Sequence, residues 1–141
     1  MVVRLARGAE ELERALDLRR RVFADEQGVR PEADRDGRDP EAMQFVALDG
    51  GVLVGTCRIL IEGRTAKLGR MVVAAGNRRR GIGRAVLEEA ERSAHEAGAT
   101  RVLLNAQLPA RDFYARGGYE SRGATFVEEG IEHVAMEKRL A

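Results

Sequence analysis

Apolar and polar positions along this chain recur with two periods, and the switches between them mark strands and helices in turn. Val2 to Ala6 reads as a short strand. From about Glu10, the residues Leu12, Ala15, Leu16, Arg19, Val22 and Phe23 recur at helical spacing, with Arg14, Asp17, Arg20 and Arg21 on the opposite face. Asp25-Glu26-Gln27-Gly28 reads as the fraying end of that helix or as a second short turn. The stretch from Arg30 to Pro40 is polar, bracketed by prolines and aperiodic. It is expected to be a loop free to move, of a length that compact domains often use for function.

A β-type pattern follows in three runs. Phe45 to Leu48 leads into Asp49-Gly50, a strong hairpin signal; Val52 to Ile61 and Ala66 to Val73 complete a meander. Lys67 and Arg70 suggest that one end or face of the third run stays wet. A helix is expected from Gly81 to Ala97, its stripe made by Ile82, Val86, Ala90, Ala94 and Ala97, with Glu88 and Arg92 paired outside and Gly98 as the stop. Arg101 to Asn105 reads as a buried strand. Pro109 opens a short helix that carries Phe113 and Tyr114 and ends at Gly117-Gly118. Tyr119 to Phe126 and His133 to Arg139 form a last strand pair. The order β-α-β-β-β-α-β-α-β-β predicts an α/β (α+β) fold with a central, largely antiparallel sheet.

Length and charge narrow the function. At 141 residues the chain fits one domain spanning 1–141. Its 24 basic and 23 acidic side chains nearly cancel, which argues against a general polyanion binder and so against nucleic acid as partner. Aromatics at 4 %, with no tryptophan, leave little for a base-stacking surface. Positive charge is instead local, in Arg19-Arg20-Arg21 and Arg78-Arg79-Arg80, a pattern that suits a discrete anionic ligand. Cys57 is the single cysteine, lies in an apolar run and reads as a buried, inert thiol; with His95 and His133 it makes no structural zinc set, and no metal is expected. No apolar run is long enough to span a membrane and the start shows no secretory pattern, so no membrane partner and cytoplasmic residence are the expectations.

The chemistry concentrates at Arg78-x-x-Gly81-x-Gly83, between a strand and a helix. A helix start offers unpaired N–H groups and the positive end of its dipole, which suits a phosphate. Glycine at 81 and 83 removes the Cβ atoms that would hold a pyrophosphate away, while Arg78, Arg79, Arg80 and Arg84 place charge at the rim. A Rossmann fingerprint would require a third small residue where Val86 stands and an acid where Asn105 stands. A P-loop would require a Gly-Lys-Ser/Thr ending, which is missing. A glycine turn with a solvated arginine face is the other reading of the loop alone.

That loop, followed by Asn105, Ala110 and Phe113-Tyr114-x-x-x-Gly118-Tyr119, resembles the GCN5-related N-acetyltransferase (GNAT) superfamily across nearly the whole chain. Val22-Phe23-x-x-Glu26-Gln27-Gly28-Val29, Asp34-x-Asp36, Ala106-Gln107 and Gly130-Ile131-x-His133 are similar to its ElaA-like branch. The resemblance implies a mostly antiparallel sheet with helices on both faces, and acetyl transfer from acetyl-CoA to an amine, either a small molecule or a peptide. It implies that the backbone of Met71 and Val73 holds the pantetheine arm and that an amide at Val72 or Val73 faces the thioester oxygen. Arg79, Arg80, Gly81, Ile82, Gly83 and Arg84 would cradle the pyrophosphate, Arg78 would add charge, and Asn105 and Phe113 would border the cofactor. Tyr114 resembles the general acid that returns a proton to the thiolate; packing against the core is its other reading. The base is open among Glu26, Glu128, Glu129 and His133, the last being of the residue type that titrates most usefully near neutrality. The branch often carries a histidine near Gln44, and any acid/base role assigned to it there does not carry over. A homodimer through the last strands is compatible with the resemblance. A non-catalytic CoA sensor on the same fold is the alternative function. Glu32, Asp34, Asp36 and Asp39 would suit a cationic acceptor, or would simply be solvated.

Overall fold

The computed structural model describes residues 1–141. Strands β1 (Val2–Leu5), β2 (Met43–Asp49), β3 (Val52–Glu62), β4 (Thr65–Val73), β5 (Arg101–Gln107), β6 (Glu120–Glu128) and β7 (Ile131–Arg139) form one seven-stranded sheet in the order β1-β2-β3-β4-β5-β7-β6. Every neighbouring pair is antiparallel except β4 and β5, as the predicted fold class requires. Period-2 alternation sends successive side chains to opposite faces. On β2, Phe45 and Ala47 pack with Ile82, Val86, Leu87 and Ala90 of helix α3 (Ile82–Glu96), while Val46 packs with Ala15 and Leu18 of helix α1 (Gly8–Arg19). Helices therefore cover both faces. Each buried aliphatic side chain contributes about 1.5–3 kcal/mol to holding them there. Asp49-Gly50-Gly51-Val52 closes the β2–β3 hairpin with positive φ at both glycines, the turn whose twist matches the strands.

Two local features open a gap in the middle of this sheet. Parallel pairing of β4 with β5 covers only Thr65–Arg101, Ala66–Val102 and Lys67–Leu103. Beyond it, the register of β4 against β3 slips between Val72 and Gly69, leaving Arg70 and Met71 as a bulge, with Arg70 at φ 56°. A bulge bends its strand and increases the local twist, which separates β4 from β5.

Other sequence expectations need correcting. The first helix does not fray at Asp25; it runs on as a π-helical segment, Arg20–Glu26. Segment 30–41 is not a free loop but holds the one-turn helix α2 (Pro31–Asp34) and a 3₁₀ turn at Asp39–Glu41. It is clamped because Arg19, wholly buried, bonds Asp34 (Nε–Oδ1 3.1 Å) and Asp39 (Nη1–Oδ1 2.6 Å), while Arg58 bonds Asp36 (2.9 Å) and Asp39 (3.2 Å). Burying a charge is costly unless it is paired and hydrogen-bonded, so these contacts come as a set. Arg19-Arg20-Arg21 is consequently no anion site: Arg20 and Arg21 pair with Asp17. Arg92 pairs with Glu89 and Glu96, not Glu88. Cys57 is fully buried, and burial pushes its thiol far up, as an inert core sulfur requires.

Candidate active site

A cavity of about 790 Å³ occupies the gap between Leu68–Val73 of β4 and Leu104–Gln107 of β5. Its floor is built where α3 begins and where helix α4 (Arg111–Arg116) passes beneath the sheet. Met71, Val72 and Val73 border it along β4. Met71 belongs to the bulge, while the Val72 side chain turns away into the α1 cluster, so Val72 meets the cavity through its backbone edge.

The arginine–glycine loop closes one end. Arg78, Arg79, Gly81, Ile82, Gly83 and Arg84 all line the cavity. Gly81 caps α3 at φ 80°, a conformation suited to glycine, and a Cβ there would meet only open space. Gly83 bears on the site in a different way: a Cβ would stand 3.3 Å from the Phe113 ring, a tight contact. The Ile82 side chain turns into the core. Arg78 is not free; its Nε donates to the Val73 carbonyl (3.0 Å) and its Nη2 pairs with Glu26 (2.9 Å). Arg80 stands outside the lining and pairs with Asp49 at 3.3 Å. Arg84 lies over Phe113, 5.7 Å from the ring centroid.

Tyr114 is buried between Phe113 and Tyr119, edge-on to each (ring centroids 5.0 and 5.7 Å). Its hydroxyl makes no hydrogen bond within the chain, while the Tyr119 hydroxyl donates to Glu91 at 2.8 Å. Burial, then the neighbouring Cys57, pushes the Tyr114 phenol well above its ordinary range, so it stays protonated and able to donate. Asn105, on β5, keeps its side chain exposed in the cavity.

The base candidates separate by their partners. Glu26 is held by Arg78 and lies outside the cavity lining; Glu129 is held by Arg30 at 2.6 Å. His133 and Glu128 line the cavity, and Glu128 pairs with no cation. His133 stacks on Phe126, and its Nδ1 lies 2.7 Å from the Ile131 carbonyl. A carbonyl only accepts, so Nδ1 donates to it and Nε2 is the ring nitrogen left to face the cavity. Arg70, which lines the cavity, carries no functional signal in the sequence, where it reads as a wet strand edge; Phe23 reads both as packing and as part of a branch-like piece. Gln27 and Gln107 did stand out, as separate branch-like pieces of sequence. The structure joins them, Gln107 Nε2 donating to Gln27 Oε1 at 2.8 Å.

The family model described as acetyltransferase (GNAT) domain matches residues 10–140. The chain is 33 % identical over 135 residues to the uncharacterized N-acetyltransferase YjcF of Bacillus subtilis (strain 168), covering 95 % of this chain and 96 % of that protein. Among solved structures, an acyl-CoA N-acyltransferase from Pseudomonas aeruginosa superposes with a TM-score of 0.86 at 26 % identity, covering 98 % of this chain and 99 % of the other. Escherichia coli ElaA shares the fold, with a TM-score of 0.85 at 23 % identity over 97 % of this chain and 99 % of that one.

Proposed function

The chain belongs to the GNAT acetyltransferase family and is an N-acetyltransferase, and we propose that it moves the acetyl group of acetyl-CoA to an amine by direct attack. One observation carries the donor assignment. The gap between β4 and β5 runs straight into the N-terminus of α3, where the Gly81 backbone faces open space. A long thiol-bearing arm ending in a pyrophosphate matches that shape: extended chain beside a bulged strand, phosphates on helix amides.

In this reading acetyl-CoA supplies the acetyl thioester, and the chain's residues bind, orient and move protons. Backbone groups of Met71 and Val73 hold the arm, and the amide at Val72 or Val73 meets charge developing on the carbonyl oxygen. The amides from Arg79 to Arg84 hold the pyrophosphate, with Arg78 kept in place by Glu26. Asn105 and Phe113 border the arm. His133 Nε2 takes the proton that the ammonium must lose before attack, directly or through water. The amine nitrogen then bonds the acetyl carbon as the carbon–sulfur bond breaks. Tyr114 gives its proton to the departing sulfur and regains one from the amide nitrogen side. The amine thus loses two protons: one ends on the thiol, the other in solvent. We place this activity in the cytoplasm, in residues 1–141 acting as one domain, with a homodimer through the last strands left to solution measurement. No helix is long and apolar enough to cross a membrane.

A melting series with acetyl-CoA and CoA, paired with CoA release against an amine library, tests the proposal. Saturation at 100 times Kd should stabilise by about 2.7 kcal/mol. No shift overturns donor binding. A shift without CoA release from any amine favours a CoA sensor.

A further inference from the structure

Beside the main cavity, between β7 and segment 30–34, lies a smaller chamber of about 120 Å³. Phe23, Arg70, Gln107, Glu128 and His133 line both spaces, so a molecule in the chamber faces the main cavity directly. On a like measure a single water needs roughly 10–15 Å³, so the chamber admits a compact ligand of several heavy atoms.

The charges around it narrow what that ligand is. Asp34, Asp36 and Asp39 are committed to Arg19, Arg58 and Arg70, and Glu129 to Arg30. A polycation would therefore find no free acidic wall. What remains is one carboxylate with no cation, Glu128, and one cation, Arg70, that keeps a donor unused after its contacts to Asp34 and Asp36. The Arg70 side chain is only 25 % exposed, yet its bonds are long: Nε to the Asp34 carbonyl at 3.2 Å, Nη2 to the Ala33 carbonyl and Asp36 at 3.3 Å. The closest carboxylate contact, Nε to Asp34 Oδ1 at 3.1 Å, is shared with Arg19. Nη1 makes no hydrogen bond within the chain. Burial, then the nearby Arg58, pushes this guanidinium below its ordinary pKa even with Asp36 and Asp34 beside it. A planar guanidinium with free donors suits a carboxylate.

We infer that the acetyl acceptor is a small amine bearing a carboxylate, such as an amino acid, seated in this chamber with its carboxylate on Arg70 and its amine toward Glu128 and His133. The inference rests on the acetyl-transfer reading above and names its substrate class.

The test compares amino acids with their amides and with the corresponding decarboxylated amines, using the whole protein and saturating acetyl-CoA. A kcat/KM at least tenfold higher for the free carboxylate is expected; equal or better turnover of the amides or bare amines overturns the inference while leaving acetyl transfer intact. Calorimetry of the same compounds with the CoA-bound protein reads the chamber without turnover. If no amine is acetylated but the amino acids bind with that preference, the site stands and the transfer reading falls; if nothing is acetylated or bound, both fall. Arg70→Gln should raise KM for the amino acid, leave KM for the amide unchanged and keep the CoA-induced melting shift. Since Arg70 also braces segment 30–36, the wild-type comparison decides the matter should that variant not fold.

Discussion

At the scale of single residues, the two tyrosines of the site divide by what their hydroxyls touch. Tyr119 spends its proton on Glu91, whereas Tyr114 has no partner in the chain and lines the cavity. A raised phenol pKa keeps Tyr114 in its acid form but weakens its drive to give the proton up, so the transfer leans on holding the hydroxyl beside the thiolate as it forms. Tyr114→Phe should keep the CoA-induced melting shift and lower kcat by roughly 10²-fold; unchanged turnover would mean that the ring only packs. The pH profile has a definite sign. A folded pKa pushed far up keeps the acid form through the alkaline range, so kcat should show no falling limb up to about pH 10, the ordinary tyrosine value. On the base side, His133→Ala should lower kcat/KM at neutral pH by roughly 10²-fold. Glu26→Gln, which weakens only the hold on Arg78, should act mainly on KM for acetyl-CoA.

The elements show why two glycines so close together do different work. Gly81→Ala meets no atom but must hold φ 80°, at a cost of about 1 kcal/mol in denaturant unfolding. Gly83→Ala keeps an ordinary helical backbone and instead presses on Phe113, so its main effect should be a displaced ring and a higher KM for acetyl-CoA. An equal effect of the two on stability would contradict this division. The loop was legible in the sequence because its glycines, arginines and helix start are neighbours in the chain. So were the succession of strands and helices along the chain and the Phe113-Tyr114 helix, which local periodicity and turn residues declare. Arg70 was not legible. Its bulge arises from a register slip against β3, and its partners at Ala33, Asp34 and Asp36 lie more than thirty residues away in sequence. The same holds for Glu26 on Arg78, and for Arg19, whose helical spacing marked the buried face correctly while its burial depends on aspartates across segment 30–41.

Over the whole molecule, those buried ion pairs tie segment 30–41, which borders the smaller chamber, to the central sheet. Asp39 shows the balance: burial alone would raise its pKa, but Arg19, Gln44 and Arg58 together bring it below the ordinary carboxylate value. Asp36 is lowered most by its hydrogen bond to Arg58. A carboxylate lowered on folding contributes stability above its unfolded pKa and loses it as pH falls through the folded value. The melting temperature should therefore be level above about pH 5 and fall steadily below about pH 4, where unfolded aspartate begins to take up protons that the native pairs refuse. Asp39→Asn removes the anion but leaves Arg19 buried, and breaking one side of a buried pair costs about 3–5 kcal/mol. That variant should unfold correspondingly earlier in urea at neutral pH, and its acid slope should be shallower than wild type, since one of the protonating groups is gone. An Asp39→Asn protein with wild-type stability and an unchanged acid slope would show that segment 30–41 is held by its packing rather than by these charges.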